Sequence, residues 1–148
     1  MSKENMIARS KIGHIKLSDE TVISLRVVIV DIREGMQKPV GPDLHIAHTT
    51  LIKGDSPQSL KEKVREKPLP PPSNIHIQNL EIWEIVDIIE SKNAFDECKY
   101  TATNGRTYRV IVEIEPTIAA RTLEYRDDLG NPIYHIRWGT KILTKMGE

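Results

Sequence analysis

Val27-Val28-Ile29-Val30 is apolar and β-branched at four consecutive positions, a pattern that crowds a helix and suits a buried strand. Successive strand side chains point to opposite faces, so the run asks for cover on both sides, from other strands, a helix or a second subunit. It lies within the β-branched stretch 22–32, which follows an alternating run at 12–17 and the turn chemistry of Ser18-Asp19-Glu20-Thr21. The first expectation is therefore a hairpin whose second strand is central.

Gly35, Pro39, Gly41 and Pro42 mark residues 35–43 as a loop, after which Leu44, Ile46, His48, Thr50 and Ile52 alternate on one face of a strand over 44–53. Asp55-Ser56-Pro57 offers a helix start, and Leu60 with Val64 supplies one apolar stripe, giving a short helix at about 56–67. Pro68, Pro70, Pro71 and Pro72 forbid helix or inner strand, so 68–72 reads as a Pro-rich joint and rigid spacer between two halves.

Periodicity leaves residues 75–90 between strand and helix, and their density of Ile with Trp83 favours one or two strands. Residues 99–103 and 106–115 flank Asn104-Gly105, the strongest hairpin signal in the chain, for which a type I′ turn is expected. Pro116 should end that strand. A further hairpin is expected from 117–126 and 133–144 around Asp127-Asp128-Leu129-Gly130-Asn131-Pro132, with a short helix at Ala119-Ala120 as the competing reading.

Residues 26–32 (Arg-Val-Val-Ile-Val-Asp-Ile) match 108–114 (Tyr-Arg-Val-Ile-Val-Glu-Ile) in kind over the last five positions. Downstream, His45-Ile46 lies against His135-Ile136, Thr50 against Thr140 and Ile52 against Ile142. The candidate repeats are 12–53 and 98–145, two β-units about a pseudo-twofold axis. The expected fold is thus α+β and mostly antiparallel β, with an internally duplicated hairpin-plus-strand unit, one short helix and a Pro-rich linker, all in one domain over 1–148.

With 21 basic and 21 acidic residues the net charge is zero, so no long-range field draws the chain to nucleic acid or anionic lipid. A lone Cys98 precludes an intrachain disulfide, and residues 1–11 lack a signal-like apolar stretch, which together point to the cytoplasm and away from a membrane. Abundant Ile and charge with little Ala is a composition compatible with a heat-adapted source.

The candidate site residues are His45, His48, Thr50, Tyr134, His135, Arg137 and Lys141. His45 and His48 stand three apart on a strand, on opposite faces, so this H-x-x-H does not read as a chelate and no metal or other cofactor is expected. His45 and His135 occupy equivalent repeat positions, where they would face one another across the pseudo-axis and do acid-base work, or else lie on solvated faces. Tyr134, Arg137, Trp138 and Lys141, with Arg121, Tyr125 and Arg126 on the partner strand, form the best basic and aromatic surface for nucleic acid, although alternation puts Trp138 on the core face with Ile136 and Ile142. Cys98 has no activating neighbour in sequence.

Leu44-His45-Ile46-Ala47-His48-Thr49-Thr50-Leu51, followed by Gly54 and the helix, resembles the first motif of the 2H phosphoesterases. The resemblance implies cleavage of cyclic phosphodiesters, with His48 and Thr50 as the first H-x-T motif and His135 in the second. His135-Ile136-Arg137 carries Arg where that family has a hydroxyl, and residues 32–44 are too few for its intervening helix. The function expected is therefore a homo-oligomeric binding or scaffold module, a homodimer first of all, rather than an enzyme. The alternatives are a nucleic-acid-binding protein and a 2H-like phosphodiesterase.

Overall fold

The computed structural model describes residues 9–73 and 75–146, and alternation of buried and exposed side chains organises most of them into antiparallel strands. The strands are β1 (Arg9–Lys11), β2 (Gly13–Leu17), β3 (Val22–Lys38), β4 (Gly41–Asp55), β5 (Glu84–Val86), β6 (Ile88–Lys92), β7 (Ala94–Thr101), β8 (Thr107–Arg126) and β9 (Pro132–Met146). One sheet runs β4-β3-β2-β6; the other runs β1-β7-β8, with β9 on the far side of β8 and β5 beside the second half of β8. Helix is confined to the short α1 (Gln58–Lys63), α2 (Ile75–Gln78) and a 3-10 turn at Leu80–Ile82. The chain is therefore β-rich, and the expected helix at 56–67 is shorter than its signals suggested.

The core lies between the sheets. Ile15, Ile23, Leu25, Val27 and Ile29 of the first meet Val110, Val112 and Ile114 of the second. Only one face of the Val27-Val28-Ile29-Val30 run is covered: Val27 and Ile29 are buried, whereas Val30 is 52% exposed on the outside.

The sheets share a ribbon. β1 and β2 are separated by Ile12 alone, β6 and β7 by Asn93 alone, and β1 pairs with β7 while β2 pairs with β6. Residues 9–17 and 88–97 thus form one antiparallel ribbon that leaves the second sheet and enters the first, a corner at which strands switch sheets. Gly13 occupies the bend, where a Cβ would sit 2.4 Å from the Lys92 carbonyl oxygen and 2.6 Å from the Ala94 nitrogen.

Each half of this ribbon continues into a meander, β2-β3-β4 in one sheet and β7-β8-β9 in the other. The turns that open the two meanders are alike. Leu17 N–H donates to Thr21 O and Glu20 N–H to Leu17 O, just as Ala102 N–H donates to Arg106 O and Gly105 N–H to Ala102 O. Asp19 Oδ1 caps Thr21 N–H as Asn104 Oδ1 caps Arg106 N–H. Only the fourth residue is left-handed, Glu20 at φ 72° and Gly105 at φ 83°, so the Asn-Gly turn is a type I turn closed by a G1 bulge rather than type I′. Glu20 takes a conformation that costs a residue with a Cβ about 1–2 kcal/mol.

The residue-for-residue match between 26–32 and 108–114 is not kept in space. Val28 and Val30 face outward, but their matched Val110 and Val112 face the core. Leu25 pairs with Gly13 at the bend and Ile114 with Ala94, whereas the sequence match sets Ile114 against Ile32.

Two expectations about breaks change. Residues 35–43 are mostly strand, because a bulge between Glu34 and Gln37 absorbs Gly35 and the hairpin tip is only Pro39-Val40. Pro116 does not end β8: it lies between Ile114, the last partner of β7, and Ala119, the first of β5, where β8 is paired only to β9, and a strand with one free side tolerates Pro. Ala119-Ala120 is strand. Residues 75–82 are helix and 3-10 turn rather than strand, held by the Trp83 indole N–H donating to His76 O at 3.0 Å.

Candidate functional site

Alternation along β4 and β9 decides where the sequence-derived candidates point. In β4, Leu44, Ile46, His48, Thr50 and Ile52 face inward and His45, Ala47, Thr49 and Leu51 outward, following their partners Ile29, Val27 and Leu25 inside and Arg33, Val28 and Arg26 outside. His45 and His48 are thus on opposite faces. In β9, Tyr134, Ile136, Trp138 and Ile142 face inward, and His135, Arg137 and Lys141 outward. Tyr134 and Trp138 pack against the core, separated by the strand from the basic Arg137 and Lys141. His45 and His135 lie on the outer faces of different sheets, so they do not face one another. His45 lies over Gly35, and His135 sits edge-on to Trp83 with ring centroids 6.2 Å apart.

His48 and Thr50 share the inward face, as an H-x-T motif requires, but the His135 side chain points away from the core on the other sheet. The structure does not bring the three together. Cys98 is buried, and burial, with the Asp96 and Glu97 carboxylates adding to it, pushes its thiol up to about 11, so it is a protonated core residue at neutral pH. Among the described residues no cluster of three His, Cys, Asp or Glu side chains could hold a metal ion, and no helix is long and apolar enough to cross a membrane.

Two features escaped sequence reasoning. The first is a polar cluster joining the sheets. Tyr134 Oη donates to Asp19 Oδ2 at 2.6 Å and lies 2.7 Å from Thr21 Oγ1, which is 3.0 Å from Ser56 Oγ. The Arg121 guanidinium donates to Asp19 at 2.7 Å and to Glu84 at 2.7 Å. Burial alone would raise the Asp19 carboxyl, but hydrogen bonds from Tyr134, Thr21 and Arg121 outweigh it and hold the group below the usual carboxylate value; burial first, then Asp19, pushes the Tyr134 phenol up. Every polar tip in this cluster is satisfied by another, an arrangement suited to locking turn, strand and sheet together.

The second feature is an open edge. β4 pairs with β3 over almost its whole length and, among the described residues, has no strand on its other side. Its central run Leu44-His45-Ile46-Ala47-His48-Thr49-Thr50-Leu51-Ile52 contains no Lys, Arg, Asp, Glu or Pro, the residues with which natural sheets blunt an exposed edge. The other long edge, β9, carries Arg137, Lys141 and Lys145. Beside the β4 edge, Val30 and Leu51 are exposed on the outer face at 52% and 56%, and Ile52 on the inner face at 44%. The alternation of 44–52 was legible in the sequence; that the strand ends a sheet was not.

No family model, curated protein or solved structure matches this chain.

Proposed function

We propose that this protein is a homo-oligomeric binding module that associates with a second copy of itself through the edge of β4. The observation that carries the reading is the open edge of β4, whose central run over 44–52 is uncharged and places apolar side chains on both faces. An open strand of this length presents a row of free N–H and C=O groups to another chain, and exposed Val30, Leu51 and Ile52 add apolar surface that an approaching strand would cover. Pairing through one edge under a twofold operator closes after two copies, which favours a dimer over a fibre.

The same reading takes the two meanders as copies of one β-unit, with the Pro-rich segment between them. In support stand their common strand order, the shared ribbon and the matched opening turns. A cytoplasmic setting suits the single buried thiol of Cys98.

Light scattering coupled to size-exclusion chromatography tests the proposal. The unmodified chain is expected to elute at twice its 16.9 kDa mass at micromolar concentration. Thr49→Lys with Leu51→Lys, both outward and exposed or half-exposed on the edge, is expected to yield a folded monomer. A monomeric unmodified chain at that concentration contradicts the proposal.

A further inference from the structure

The edge strand also fixes how a second copy would dock, an inference that rests on the self-association reading above. We infer that two β4 strands pair antiparallel about a twofold axis passing through His48, so that Asp43 of each copy lies opposite Lys53 of the other.

Three observations select this register. Backbone groups reach an open edge only from alternate residues, so an antiparallel self-pairing must bring residues of equal parity together and be centred on a residue, not between two. Asp43 and His45 share the outer face, both bordering the position of a Gly35 Cβ, and Lys53 shares it through its pairing with Ser24. Centring on His48 sets Asp43 against Lys53 twice, at the two ends of the pairing. Moving the centre one residue to Thr49 sets Asp43 against Asp55, a like-charge pair, and moving it to Ala47 sets Asp43 against Leu51.

The interior agrees. With His48 on the axis, Leu44 covers the half-exposed Ile52 of the other copy and Ile46 meets Thr50, so the apolar inner row continues from one chain into the next. His48 Nδ1 is the one buried side-chain polar atom without a hydrogen-bond partner among the described residues. Buried polar atoms ordinarily have partners, and the axis brings the second His48 imidazole beside it.

Charge exchange tests the register. Dimer dissociation constants are measured by sedimentation velocity at low salt for the unmodified chain, Asp43→Lys, Lys53→Asp and the double variant. Each single exchange creates two like-charge pairs across the axis and is expected to weaken the dimer at least about tenfold. The double variant restores opposite charges and is expected to return within about threefold of the unmodified chain. The double variant also settles whether loss of the Asp43 to Lys38 ion pair, 3.2 Å apart within one chain, explains the first single variant. A dimer insensitive to either single exchange, or one not restored by the double, overturns this register while leaving self-association standing. A monomeric unmodified chain overturns both.

Discussion

Gly13→Ala is expected to destabilise the fold by at least about 3 kcal/mol, or to prevent it from forming. The added Cβ would stand 2.4 Å from Lys92 O, 2.6 Å from Ala94 N and 2.7 Å from Asn93 C. All three are backbone atoms of the opposite ribbon strand, so no side-chain rotamer can relieve the contact. Relief requires the ribbon to open where it turns from one sheet to the other, and both meanders hang from that corner. Gly139→Ala is the control: nothing lies within 4 Å of its Cβ position, and a change within about 0.5 kcal/mol is expected. Urea denaturation midpoints of the two variants check the contrast, and equal midpoints would remove the corner from the account.

Asp19→Ala is expected to cost about 2–4 kcal/mol at neutral pH. The Asp19 and Arg121 side chains are only 10% and 16% exposed, and removing the carboxylate strands the guanidinium with Glu84 alone while depriving Tyr134 Oη and Thr21 N–H of their acceptor. Tyr134→Phe removes the hydroxyl's hydrogen bonds to Asp19 and Thr21 and leaves the ion pair, so about 1–2 kcal/mol is expected there. The pH dependence follows from the lowered Asp19 carboxyl. A carboxyl whose folded value lies below its unfolded value of about 3.9 adds stability that is fully present above the unfolded value and is lost as pH falls through the folded one. The gap between the parent chain and Asp19→Ala should therefore be widest near neutral pH and shrink below about pH 4. A gap independent of pH between 7 and 2.5, on the order of the same size throughout, would show that the carboxylate charge is not what the cluster needs.

How much of this was legible in the sequence depends on the range of the interaction. Local signals were read well: the alternation of Leu44, Ile46, His48, Thr50 and Ile52, the hairpin at Asn104-Gly105, and Trp138 on the core side with Ile136 and Ile142 all follow from a period of two. Breaks were read too strongly. Gly35 and Pro116 punctuate a sequence, but a bulge admits one and a missing neighbour admits the other, and neither is visible along the chain. The switch of a ribbon between sheets at Gly13 depends on a pairing between residues 9–17 and 88–97, far apart in sequence. The Asp19, Ser56, Arg121 and Tyr134 cluster is assembled from four separate segments and has no spacing signature. Val28 and Val30 read as two-sided burial; within one chain only one side is covered, and that leftover surface, together with the bare β4 edge, is what points to a second copy.

Amide hydrogen exchange followed across protein concentration tests self-association through β4 most directly. The outward N–H groups of residues 44–52 should exchange fast in dilute protein and become protected as concentration rises, while the equally long edge of β9 over 134–144 remains unprotected throughout. Equal, concentration-independent exchange on the two edges would contradict the account.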